Sequence, residues 1–296
     1  MTGPIPTSRR VTSDAVRLLT PRPVRSGQPL FIFLPGMDGT GTLLRSQLDR
    51  LVPWFDIRCV AISNQDNIDW EPLARQISDL IESALAADSS KNSGKNSSKK
   101  RAQPHPNPKE GASQGRRRAV YLCGESFGGC LAMQVLSLSP HLFDRVILVN
   151  PASSFRRLPW MQLGSMITRQ LPDLAYRYSA RGLVPFLIEA NRVPKRDQVA
   201  LEKAMGSVPA KTAAWRMLLL SRFEAERLPL ERMNQPVLLI AGGQDKLLPS
   251  IREARSLQRR FPNAQLTILP NSGHACLLEW DVNLPKILRQ HNFLDP

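Results

Sequence analysis

Apolar residues fall along this chain in short blocks separated by longer stretches of mixed character. The blocks near 29–34, 57–62, 119–123, 145–149, 236–241 and 265–269 are dominated by Val, Ile, Leu, Phe and Ala. Short, nearly continuous apolar runs of this kind fit strands buried on both faces of a parallel sheet. Between them, apolar positions recur three and four apart over about 42–52, 71–87, 127–138, 250–260 and 277–291, which predicts helices. Alternation of the two patterns predicts an α/β fold, a mostly parallel doubly wound sheet with helices on both faces. A chain of 296 residues buries a core large enough for one such domain plus insertions, and no internal repeat is present.

Three stretches depart from this plan. Residues 1–28 contain arginines and hydroxyls but no apolar h-region, which excludes a secretory signal and predicts a flexible tail, unstructured or of weak transit-peptide character. Residues 88–118 are rich in Ser, Asn, Lys, Pro and Gly, so burial cannot offset the entropy of ordering them. A disordered basic loop is expected there, away from any chemistry. Residues 151–235 lie between two core strands and predict an inserted helical cap, with helices at 158–171, 174–189 and 198–223. The core is then 29–150 and 236–296.

Candidate chemistry begins at Tyr121-Leu-Cys-Gly-Glu-Ser-Phe-Gly-Gly129, which sets Ser126 in a G-x-S-x-G turn between a predicted strand and a predicted helix. A serine hydroxyl is a weak nucleophile near neutral pH, so it needs a histidine base and a carboxylate to orient that base. Of the four histidines, His105 sits in a proline-broken polar stretch, His141 follows Pro140, and His291 lies in the last predicted helix. His274 alone stands on a loop directly after a late strand. The strand before that one runs into Gly242-Gly-Gln-Asp245, making Asp245 the expected acid; the earlier strand 146–149 is followed by Asn150 and Pro151, which offer no carboxylate. Backbone N–H groups of Phe127, next to the nucleophile, and of Met37, in the glycine-rich loop after the first strand, are the expected oxyanion donors. No dinucleotide or phosphate-loop fingerprint interrupts this reading.

Charge adds a second layer. The formal net charge is +15, of which residues 88–118 and the cap contribute +7 each, leaving +1 for the tail and the core together. No nucleic-acid motif accompanies the basic stretches, so a nucleic-acid partner is not expected. In the cap, Trp160, Met161, Leu163, Met166, Ile167, Phe186, Leu187, Trp215 and Met217 interleave with arginines. That pattern suits a lid on an anionic membrane surface, and equally a cap packed onto its core. No run of about 20 apolar residues is present, so no membrane span is predicted. Cys59, Cys123, Cys130 and Cys276 lack metal-site spacing and read as buried thiols of a reducing compartment, cytoplasmic or stroma-like. Neither a metal nor a cofactor is expected.

Four segments carry a resemblance: Leu34-Pro-Gly-Met-Asp-Gly-Thr-Gly41, Tyr121 through Ala132, Leu148-Val-Asn-Pro-Ala-Ser-Ser-Phe155, and Leu239 through Asp245 to the His274 loop. Together they make the chain similar to the α/β-hydrolase half of plant phytyl ester synthase and diacylglycerol acyltransferase-like proteins and their cyanobacterial relatives. The resemblance covers most of the chain outside 88–118. It implies acyl chemistry on lipid-like esters, with Ser126, Asp245 and His274 in the matching positions. The second half of the plant proteins has an H-x-x-x-x-D motif, and here the fifth residues after the histidines are Glu110, Val146, Glu279 and Pro296, so that motif is absent. The expected function is a serine esterase or lipase acting on long-chain carboxylic esters through an acyl-serine, with transfer to a hydrophobic alcohol as the other outcome. Two alternatives stay open: a cofactor-free haloperoxidase or carbon–carbon bond hydrolase on the same fold, and a non-catalytic protein that binds lipid surfaces.

Overall fold

A computed structural model describes residues 15–64, 67–97, 117–158, 172 and 182–294. Seven strands form one sheet: β1 (Val16–Leu19), β2 (Leu30–Leu34), β3 (Asp56–Ile62), β4 (Val120–Glu125), β5 (Arg145–Val149), β6 (Val237–Gly242) and β7 (Ala264–Leu269). Their spatial order is β1-β3-β2-β4-β5-β6-β7, and every pair is parallel except β1 with β3. The expected doubly wound, mostly parallel sheet is therefore present, and β4, which leads into Ser126, lies at its centre.

Every residue of β2, β4 and β6 is buried, which explains why these strands read as continuous apolar runs rather than alternating ones. Alternation instead sends successive side chains to two different cores. Leu30, Ile32 and Leu34 face one, shared with Trp70, Ile77 and Ile81 of α2 (Trp70–Ser97) and with Leu131 and Val135 of α3 (Phe127–Leu138). Phe31 and Phe33 face the other, closed by Leu48 and Leu51 of α1 (Leu48–Leu51) and by Leu284, Ile287 and Leu288 of α8 (Leu284–Gln290). Each of these fully buried large side chains contributes about 1.5–3 kcal/mol relative to exposure.

Several elements differ from expectation. Val16–Leu19 lies in the stretch predicted to be a flexible tail, yet it pairs antiparallel with β3 from Val16↔Ile62 to Leu19↔Cys59; residues 1–14 lie outside the described part. The predicted helix 42–52 is a 3-10 turn, Leu43–Ser46, followed by the single turn α1. Helix α2 continues past 87 to Ser97, because extending a formed helix needs no new nucleation; residues 98–116 of the predicted loop lie outside the described part. The predicted helix 250–260 is α7 (Ser250–Gln258), and the predicted helix 277–291 is a 3-10 turn, Cys276–Leu278, and the shorter α8, which starts where Asn283 Oδ1 accepts the Lys286 N–H at 3.0 Å.

In the cap region, the predicted helix 198–223 is two helices, α5 (Lys195–Gly206) and α6 (Ala210–Arg222). Ser207 and Val208 separate them, and Pro209, which has no N–H to give, precedes the second. Of the predicted helices 158–171 and 174–189, residues 159–171 and 173–181 lie outside the described part; α4 (Val184–Leu187) belongs to the second. Helix α6 is docked on the core by Thr212 Oγ1 on the Asn64 carbonyl (2.6 Å) and Trp215 Nε1 on that of Ile68 (2.9 Å). From the core side, Trp70 Nε1 donates to the Leu219 carbonyl at 3.1 Å. Among the described residues, no helix is long and apolar enough to cross a membrane.

Candidate active site

The turn from β4 into α3 is as tight as the sequence requires. A Cβ at Gly124 would collide with the Gly128 carbonyl, and one at Gly128 with the carbonyls of Leu34 and Pro35. Ser126 between them is forced to φ 56°, ψ −117°. A non-glycine residue held there stores roughly 1–3 kcal/mol of strain. Its N–H donates to the Val149 carbonyl at 3.0 Å, which fixes the turn against β5. Ser126 is 9 % exposed.

The residues singled out from sequence meet at this turn. His274 Nε2 lies 2.8 Å from Ser126 Oγ, and His274 Nδ1 lies 2.7 Å from Asp245 Oδ2. Asp245 follows β6 and His274 follows β7, so three loops at one end of the sheet converge. The carboxylate is held in turn: Asp245 Oδ1 accepts the N–H groups of Leu247 and Leu248, each at 2.9 Å, and the Ser250 hydroxyl donates to Oδ2. Burial pushes this carboxyl up, but the His274 charge and these hydrogen bonds hold it below its ordinary value. For His274, burial favours the neutral ring; the Asp245 carboxylate, with a smaller push from Glu125, outweighs it and raises the imidazole above its ordinary value. Hydroxyl, imidazole and carboxylate in this contact order supply the geometry for removing a proton from Oγ.

Met37 sits on the loop after β2 that lies beside Ser126: a Cβ on Gly36 would stand 3.8 Å from that of Ser126. Phe127 opens α3, where the first N–H groups of a helix have no intrahelical acceptor and the helix dipole is positive. Among the described residues neither the Met37 nor the Phe127 N–H donates to a protein acceptor. Both therefore remain available to an incoming oxygen.

Three residues important to this geometry escaped the sequence. Asn150, completely buried at φ 42°, donates from Nδ2 to the His274 carbonyl at 2.6 Å and accepts the Gly242 N–H on Oδ1 at 2.8 Å, tying the two loops together. It occupies the position dismissed for lacking a carboxylate. Glu125, buried next to Ser126, has an Oε1 without a hydrogen-bond partner among the described residues. Burial pushes its pKa up to about 7, opposed by His274 and reinforced by Asp38. Arg216, on α6, reaches the Met37 carbonyl at 2.7 Å. Only Glu125 had a local signal, a charged residue inside an apolar strand. All four cysteines are free and buried, and among the described residues no cluster of His, Cys, Asp or Glu is arranged to hold a metal ion.

Comparison with known proteins gives an independent view. The sequence profile described as "Alpha/beta hydrolase family" matches residues 31–282. Phytyl ester synthase 1, chloroplastic, of Arabidopsis thaliana is 28% identical over 291 residues; the match covers 90% of this chain but only 37% of that protein. A pimeloyl-acyl-carrier-protein methyl ester esterase of Nitrosomonas europaea is 27% identical over 166 residues, covering 54% of this chain and 66% of the relative. Among solved structures, a hydrolase from Oleispira antarctica superposes with a TM-score of 0.68 over 93% of each chain at 14% identity, a likeness of fold.

Proposed function

Since the chain belongs to the alpha/beta hydrolase family, we propose that it is a serine hydrolase of carboxylic esters that works through an acyl-serine intermediate. The observation that supports this most is the unbroken contact from Asp245 through His274 to Ser126, at 2.7 and 2.8 Å. In this reading His274 takes the Ser126 proton as Oγ attacks the ester carbonyl. Asp245 keeps the ring oriented and offsets its positive charge. Charge developing on the carbonyl oxygen is met by the Met37 and Phe127 N–H groups, worth roughly 10²–10³ in rate per donor. Collapse expels the alcohol, which receives its proton from His274, and a second nucleophile then releases the acyl group by the reverse path.

Lipid esters are the proposed substrates. The similarity to phytyl ester synthase 1 supports them, as does Phe186, half exposed and followed by Leu187, whose carbonyl accepts the Ala275 N–H. Trp160, Met161, Leu163, Met166 and Ile167, expected to extend that apolar surface, lie outside the described residues. Whether water or a hydrophobic alcohol accepts the acyl group follows from how far the cap excludes water. The test is incubation of the protein and its Ser126→Ala variant with a long-chain acyl ester, with and without a long-chain alcohol, reading products by mass spectrometry. We expect Ser126-dependent free acid, and new ester in addition when the alcohol is present. Equal product from both proteins, or none from any ester, would overturn the reading.

A further inference from the structure

Arg216 is a charged residue buried to 3 % exposure in the middle of α6, a helix of the inserted region rather than of the core. Burying a guanidinium is costly unless its donors are satisfied, and here they are shared between the loop after β2 and the end of β3. One terminal nitrogen donates to the Met37 carbonyl at 2.7 Å. The other contacts Asn64 Oδ1 at 3.1 Å and, at 3.4 Å each, the carbonyls of Ile62 and Ser63 at the end of β3. The fit is close: a Cβ on Gly39, itself at φ 67°, would stand 2.6 Å from the guanidinium. Asp38, between Met37 and Gly39, is buried as well, accepts the Thr40 N–H at 2.8 Å and feels the Arg216 charge. Both faces of the Met37–Gly39 segment are thus fixed, one by its own turn and one by a side chain from the cap.

Met37 follows Gly36, where an added Cβ would stand 3.8 Å from that of Ser126, and the angle of the Met37 N–H depends on the backbone that carries it. Resting on the proposed oxyanion role of Met37, we propose that Arg216 is a positioning residue: it clamps the Met37 carbonyl so that the cap helix and the ester-polarising loop move as one unit. Only a planar fork spans Met37 and Asn64 together; a lysine ammonium keeps the charge but reaches one side at a time. Because an oxyanion donor acts in the transition state and hardly on bound ester, loosening it lowers kcat and leaves KM nearly unchanged.

The experiment measures kcat per active site for Arg216→Ala and Arg216→Lys, counting sites by complete labelling with a fluorophosphonate, so that misfolded protein drops out. We expect kcat to fall roughly 10–100-fold in both variants, below the cost of losing a donor outright, with KM within about threefold. In Arg216→Ala, millimolar guanidinium should restore part of kcat while sodium or ethylammonium at equal ionic strength should not. Thr212→Val removes a different bond holding the same helix and should lower the melting temperature with kcat per site unchanged. The proposal is overturned if the Arg216 variants keep the kcat per site of the parent, or if Thr212→Val loses as much as they do. Failure of the underlying reading looks different: fluorophosphonate would not label Ser126, or Ser126→Ala would keep full turnover.

Discussion

A carboxyl group one residue from Ser126, buried and with one oxygen lacking a hydrogen-bond partner among the described residues, is an electrostatic liability. Glu125 ordinarily ionises near 4.5, and burial lifts it to about 7 in the folded chain. The folded state thus holds this proton more tightly than the unfolded state. Below about pH 4.5 both states are protonated and nothing is lost; as pH rises toward 7 only the unfolded state ionises, and folding stability falls by about 3 kcal/mol in total. Glu125→Gln removes that loss. Denaturant titrations should find the variant more stable at pH 8, by a margin that shrinks to near zero at pH 4.5; a margin independent of pH would contradict the assignment. Ser126, Asp245 and His274 were legible because each follows a recognisable strand in a fixed order. Asn150 and Arg216 were not, because their significance comes from partners distant in sequence, His274 and Met37; Glu125 showed only as a charge inside an apolar strand.

Elements were legible where burial dominates local preference. The central strands and α3 match their predicted limits closely, since nothing but a buried strand or helix accommodates those apolar runs. The helix expected at 42–52 shrinks because its apolar residues are spent on two different clusters, Leu43 toward the cap and Leu44, Leu48 and Leu51 toward the sheet. Strand β1 was missed because an edge strand of four residues with one exposed arginine carries little periodicity. The β4–α3 turn is the element with least tolerance. Gly128→Ala would drive a methyl into backbone carbonyls that cannot step aside, costing about 3 kcal/mol. Thermal unfolding should register a fall of roughly 5 °C; a change under about 1 °C would show that the turn relaxes at small cost.

For the molecule as a whole, the sheet brings together loops that the sequence keeps far apart, and the +15 charge is concentrated outside the core that bears the site. We propose that such a distribution favours approach to an anionic surface. Vesicles containing about a third phosphatidylglycerol should co-sediment the protein at low salt, and much less at ~0.5 M salt, where screening shortens the reach of each charge to a few ångströms. Equal binding to neutral vesicles would assign attachment to apolar contact instead.

The distance along the chain between Ser126 and His274 is 148 positions. At ribosomal speeds of roughly 5–20 residues per second, the histidine is polymerised roughly 7–30 s after the serine. In the proposed mechanism Ser126 is throughout that interval an ordinary alcohol without its base. Its reactivity toward acyl groups would be withheld from the nascent chain until β7 has paired with β6, the sheet acting as a safety catch during synthesis.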